Sequence, residues 1–475
     1  MVQRLLTKYG LVFHVACACL FPLCFVSQVR FFNLVPLLWL SLAVAELMFL
    51  QPSVRRSETL ADARLRVWNA LVWDPFLYVG LAVVAVGLLQ VANSGCELVY
   101  LPDADIWQIS APPLAWAPFS VEPRAALAQL SVWVACVMVG LALRVALGKE
   151  SKRVLLQTLA CMSGAAALFA TVQACRQIQP YASLTAGASA PVIGTVFGFW
   201  LFLGIGLLAD ATARYQRGKG LLLLLGVAGN LAGMLFFASA VMICLFAPLA
   251  LALAIYGLVY LRPHVPKAMQ LKLFLGWALL VAVTVGALVF VFPQNPVADK
   301  CKAALPVAET WQALAESRST RAAAAIKIWQ DHAWAGVGAD GFSHFVGLTV
   351  DAKEWPTIST DQGYVYNDWL QYLCEYGVLG AALFLSAVVV LLVPLCYRAR
   401  IVWKFGSQDD NEGRGFLLRL SPLVVTGVLA SAACLVESFM ASPYRSPFLL
   451  LSWICVMAAL PAFMPARAAA RPKGV

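Results

Sequence analysis

The sequence predicts an all-α fold: a polytopic transmembrane helical bundle of about twelve helices that holds one large loop on the outer face of the membrane. Three observations predict it. Hydrophobic residues make up 61% of the 475-residue chain and charged residues only 12%, with a mean hydropathy of +0.80, whereas a soluble domain carries about a quarter of its residues charged. Apolar runs of about 20 residues recur along the whole chain, each long enough to cross a hydrocarbon core of about 30 Å. Alternating strands of about ten residues, the signature of a membrane β-barrel, are not seen. Inside lipid the backbone must satisfy its own hydrogen bonds, so the runs are helices.

In chain order the expected spans are 10–29, 31–50, 71–93, 126–147, 154–174, 192–211, 220–237, 240–261, 273–293, 376–397, 419–440 and 447–465. The first follows a short basic start (Arg4, Lys8) and lacks a small-residue cleavage site, so it reads as a signal anchor. A single helix over 220–261 would run about 63 Å at 1.5 Å per residue, so a turn near Ser239 divides it. The chain is thereby organised as helices 1–9 (residues 1–293), the large loop (294–375), and helices 10–12 with a terminal tail (376–475).

Cationic residues set the orientation. With the N terminus placed inside, 24 of the 34 Lys and Arg fall on inner segments and 10 on outer ones, which favours cytoplasmic termini. The net charge of +10 is mostly this inner bias and calls for no nucleic-acid partner. Among 13 cysteines, Cys96, Cys175 and Cys301 fall in outer segments, where an oxidising compartment permits pairing; three such residues assign no pair.

Two outer segments break the pattern of short connections. Residues 94–125 contain ELVYLPDADIW and APPLAWAPFSVEP, whose prolines and aromatics suit an extended strip at the membrane interface. The large loop contains a helical stretch near 308–331, then AGVGADGF, then YVYNDWLQYLCEYGVLG leading into the next span. On that helix Arg318 and Arg321 are three residues apart and share a face. Two adjacent guanidiniums suit a diphosphate, each able to give a bidentate charge-assisted pair; a solvated face paired with Glu316 and Asp331 is the competing reading.

Gly336, Gly338 and Gly341 read either as a tight turn of close backbone approach or as a simple helix stop. They form no nucleotide loop, since GxxxxGK[ST] is absent. Tyr364 and Tyr366 read as site residues or as an interfacial aromatic belt, and Asn367 or Asp368 as a helix cap. The four histidines do not cluster, so metal-ligand spacing is absent; His332 and His344 lie in the loop, most simply at its surface. Glu46, Asp74 and Asp210 lie near inner helix ends. Glu437 is either a functional intramembrane acid or the partner of nearby Arg445.

The arginine followed after about a dozen residues by DHAWAGVGADGF, and then by YVYNDWLQYLCEYGVLGA entering a helix, resembles the O-antigen ligase and O-antigen polymerase superfamily. Those bacterial inner-membrane glycosyltransferases have about twelve helices and one large periplasmic loop before the last three. The motifs cover about 310–385, and LAWAPFS in the first outer strip is similar to a segment such proteins carry. The resemblance implies transfer of a glycan from an undecaprenyl diphosphate-linked donor to an acceptor hydroxyl on a glycan, lipid or protein, as in lipopolysaccharide biosynthesis. It implies no cofactor, no nucleotide sugar and no metal.

Arg318 occupies the position of the family's loop arginine; Arg321 and Arg176 join it as substrate-binding candidates from charge and placement, and Asn367 from the motif. The family's HxHN is here Tyr364-Val365-Tyr366-Asn367. Tyrosine, with a pKa near 10, is a poor base at neutral pH but donates a hydrogen bond. Three accounts follow: Tyr366 orients the acceptor, another group (Asp361, Asp368 or His344) takes the proton, or the protein is catalytically changed. A second departure is Ala240, where the family often has an arginine after the serine. The competing function is a non-catalytic or transport role in handling lipid-linked glycans.

Overall fold

The computed structural model describes residues 2–25, 35–52, 58–101, 106–114, 116–175, 190–214, 216–237, 240–261, 307–351, 353–355, 363–405 and 416–464, with residue 54 and a few positions between 271 and 282. Helices dominate: α1 Val2–Phe25, α2 Pro36–Leu50, α3 Leu60–Val72, α4 Pro75–Ala92, α5 Pro123–Leu141, α6 Lys149–Cys175, α7 Ala190–Ala213, α8 Arg217–Phe237, α9 Ala240–Leu261, α10 Val307–Asp331, α11 Gly341–Thr349, α12 Asp368–Phe405, α13 Phe416–Arg419, α14 Pro422–Glu437 and α15 Pro447–Ala459. The described residues of the expected spans are mostly helical, while most of 273–293 lies outside the described residues. Among the described residues six helices are long and apolar enough to cross a membrane, and several shorter apolar ones accompany them.

Helix starts follow local chemistry. Proline occupies the first turn of α2, α4, α5, α14 and α15, where its missing N–H costs nothing. Helix α3 lies in a stretch expected to be only an inner connection. Thr59 and Asp62 form a reciprocal capping box at its start, and Ala63, Val67 and Leu71 line the face it buries. Its arginines keep it from reading as an apolar run.

At the centre sits α7, enclosed by α6, α8, α9 and α14. Phe197, Phe199, Trp200 and Phe202 are fully buried there, and the Trp200 indole N–H donates to Ser452 Oγ at 3.1 Å. Helices α6 and α8 approach so closely that a Cβ on Gly164, Gly226 or Gly229 would meet the facing backbone, the small-residue packing that membrane helices favour. Asn230 crosses this seam, accepting from Ser163 Oγ at 2.9 Å and donating to Ala160 O at 3.2 Å. The far face of α8 presents Leu221, Leu222 and Leu225 outward.

Two ion pairs tie helices together at the end opposite the large loop. Arg144 grips Asp74 through two bonds of 2.7 and 2.8 Å, while Asp74 also caps α4 through Phe76 N at 3.0 Å. Asp210 lies between Arg153 at 3.0 Å and Arg214 at 3.2 Å; Glu46 is exposed. Removing one member of a buried pair strands the other charge and costs about 3–5 kcal/mol. Asp74→Ala should therefore lower the melting temperature in detergent strongly, as should Arg144→Ala. The double variant should cost clearly less than the sum; strict additivity on thermal denaturation would show that the pair is not the cause.

The strip at 94–125 contains a two-stranded antiparallel sheet, β1 (Leu98–Leu101) with β2 (Ile106–Ile109), pairing Tyr100 with Trp107. The following residues pack beneath α10 and α11, where Phe119 joins Ala324, Ala325, Ile328, Val337, Phe342 and Val346 in a separate small core. Cys96 is a free buried thiol in this core; the side chains of Cys175 and Cys301 lie outside the described residues.

Candidate functional site

The turn after α10 docks onto the start of α12 largely through backbone. Val337 N donates to Cys374 O at 3.1 Å and Gly338 N to Glu375 O at 2.7 Å; Val378 N and Leu379 N return bonds to Ala333 O and Trp334 O at 2.9 and 3.2 Å. Such contact demands glycine. Gly336, Gly338 and Gly377 have φ of 69°, 85° and 62°, and a Cβ on each would press into the backbone of Glu375, of Phe119 and of Trp334 respectively. The glycines are thus close-approach residues, and Gly377 interrupts α12, close to where the sequence places the end of the loop.

This docking brings two arginines and two tyrosines into a stack. Arg321, buried on α10, donates from Nη1 to Tyr364 O at 2.9 Å and lies 5.1 Å from the centre of the Tyr366 ring. The Tyr364 and Tyr366 rings stack at 6.1 Å. On the other side Arg445, from the turn before α15, lies 5.7 Å from the Tyr364 ring. Arg445 also donates to Asp340 Oδ1 at 3.1 Å and bonds Glu375 Oε1. Burial opposes the Arg445 charge, but the two carboxylates outweigh it and hold its proton more firmly than usual. Tyr366 and Asp340 both sit at positive φ, 58° and 59°, strain that persists only where surroundings enforce it.

Arg318, one turn before Arg321, is half-buried and close enough to Tyr366 for the two to interact electrostatically; burial lowers its hold on its proton, so its charge is poorly solvated. Among the described residues no carboxylate pairs with it. Asn367 Oδ1 accepts from Leu370 N at 3.1 Å and so caps α12. Asp368 is buried and accepts from Tyr444 N at 2.9 Å, tying α12 to the turn before α15. Arg176 and Asp361 lie outside the described residues.

Three residues of the cluster, Asp340, Glu375 and Arg445, were not singled out from sequence as site residues. Glu375 lies in an otherwise apolar stretch, and Arg445 was matched only with Glu437. That pairing is corrected by the structure: Glu437 instead accepts from Thr195 Oγ1 at 2.6 Å, leaving Arg445 to Glu375 and Asp340. The available signal was a buried acid and a lone outer arginine, each needing a partner. His332 packs between Phe119 and Phe345. His344, Glu122 and Asp340 bring ligand-type atoms within 4.8 Å of one another, but the Asp340 carboxylate is already engaged by Arg445.

Apolar helices around a buried cluster of arginines, tyrosines and acids define a helical membrane protein with a polar cluster at one end of its bundle. Residues 221–385 match the family model described as Wzy_C, O-Antigen ligase. That match places this segment, from α8 through the loop to Leu385 in α12, in the O-antigen ligase and O-antigen polymerase superfamily of bacterial membrane proteins. No curated protein matches the chain.

Proposed function

We propose that the protein transfers a glycan from an undecaprenyl diphosphate-type carrier to an acceptor hydroxyl, in the manner of an O-antigen ligase or polysaccharide polymerase. The observation that carries this reading is Arg318: a half-buried guanidinium beside Tyr366, with no carboxylate partner among the described residues, in a segment that matches the family. The large loop faces the periplasm in this reading, in a bacterial inner membrane with both termini cytoplasmic. The acceptor oxygen attacks the anomeric carbon, the bond to the diphosphate breaks, the diphosphate leaves with the electron pair, and the hydroxyl proton passes to the departing diphosphate or to water. Arg318 meets the charge that develops on it. Tyr366 orients the acceptor hydroxyl through its phenol; Asp368, held by Tyr444 N, is poorly placed to take the proton. Arg321 acts chiefly by propping the tyrosines.

The direct test supplies the purified protein in nanodiscs with an undecaprenyl diphosphate-linked oligosaccharide and an acceptor. Release of undecaprenyl diphosphate with glycosylated acceptor is expected; donor binding or movement without release would favour the transport reading, which the tyrosine in place of histidine motivates. Tyr366→Phe keeps the stack but removes the hydroxyl, and should lower turnover about 100-fold, the lower end of the range for a lost acid–base group. Tyr366→His should retain or raise activity. Unchanged turnover in Tyr366→Phe would remove the phenol from the chemistry.

A further inference from the structure

The segment Gly363–Tyr366 has little regular structure of its own, yet it is held from several directions. Arg321 takes the Tyr364 carbonyl and one face of the Tyr366 ring. Gln371, one turn into α12, donates to Gly363 O at 2.9 Å and accepts from Val365 N at 3.2 Å, so it grips the backbone on both sides of Tyr364. The same Gln371 donates to Glu375 Oε1 at 3.0 Å, the oxygen that Arg445 also bonds. Arg445 then covers the Tyr364 ring and reaches Asp340 in the glycine turn. One guanidinium therefore joins three elements: the turn before α15, the start of α12 and the turn after α10.

We infer that Arg445 is a positioning residue for glycan transfer: through Glu375, Asp340 and the Tyr364 ring it sets the place of Tyr366 relative to Arg318. This rests on the reading of the site given above. The physical case is that an arginine serves here where a lysine would not. Its planar fork satisfies two carboxylates in fixed directions while its face packs on an aromatic ring. Lysine keeps the charge but not that geometry, so Arg445→Lys separates positioning from simple charge balance.

The test uses the full chain in nanodiscs with 3-fluorotyrosine incorporated, the Tyr364 and Tyr366 resonances being assigned through the Tyr→Phe variants. Arg445→Lys is expected to shift both fluorine resonances, the second through the ring stack. It should also lower kcat at least about tenfold with donor KM within about twofold, because Arg318 is untouched. Millimolar guanidinium should restore part of the activity of Arg445→Gly but none of Arg318→Ala. If neither resonance moves in Arg445→Lys, the stack is not held by Arg445 and the inference fails, whatever the transfer assay shows. Normal kcat per folded molecule, with only a lower melting temperature, would make Arg445 structural and likewise overturn it. Should Arg445→Lys fold poorly, Glu375→Gln supplies the same comparison, since it keeps the side chain's shape and removes one of the two charges on Arg445. Absence of transfer by the wild type would instead count against the proposed function, and the resonances would still decide the positioning.

Discussion

Arg318→Ala should abolish glycan transfer while leaving the protein in the membrane at its normal level. The guanidinium is half-buried and interacts with Tyr366, and in the proposed reaction it meets the charge that appears as the diphosphate departs. Losing one such preorganised donor costs about a hundred- to a thousandfold in turnover. The fold should tolerate the change, because no ion pair among the described residues depends on Arg318. Arg318→Lys should recover part of the rate, since it keeps the charge but gives up the bidentate fork. Surface polysaccharide and protein abundance measured together in cells decide the matter. Full activity of Arg318→Ala at wild-type abundance would falsify the diphosphate role.

Gly336→Ala is expected to undo the docking of the glycine turn onto α12. Gly336 sits at φ 69°, a region that costs a residue with a Cβ about 1–2 kcal/mol. The added carbon would also press into the carbonyl of Glu375 and the amide of Tyr376, backbone that cannot rotate away as a side chain would. Together these exceed what the backbone bonds Val337 N→Cys374 O and Gly338 N→Glu375 O can hold. The turn should lift off α12 and carry Asp340 away from Arg445. Faster proteolytic cleavage near 332–340 with unchanged helical circular dichroism in detergent is the expected pattern. Wild-type protease resistance in Gly336→Ala would show that the docking does not depend on this close approach.

Much of the architecture was legible because its causes are local. A run such as Pro75–Ala92 is apolar over the length of a membrane span, and nothing distant is needed to make it helical. The turn near Ser239 followed from helix rise alone, and α8 and α9 end and begin at Phe237 and Ala240 around it. Helix α3 escaped notice because Arg64 and Arg66 interrupt its apolar face, although its capping box was readable in Thr59 and Asp62. The paired strands Leu98–Leu101 and Ile106–Ile109 were legible only as an extended aromatic strip, since strand pairing depends on which residues meet across the sheet.

The candidate site divides in the same way. Arg318, Arg321 and the YVYN segment stood out because residue type and spacing announce a cationic helix face beside a family motif. By itself the sequence determined a helical membrane protein and pointed to residues worth suspecting near its second half, consequences of hydrophobic length and motif order. Only the tertiary structure decided how those residues are held. Arg445 reaches Asp340 across 105 residues and Glu375 across 70, and Glu437 turns away from Arg445 to Thr195, 242 residues distant. Buried charges must find partners, and which partner each finds is settled by the packing of distant helices, information that no local stretch of chain contains.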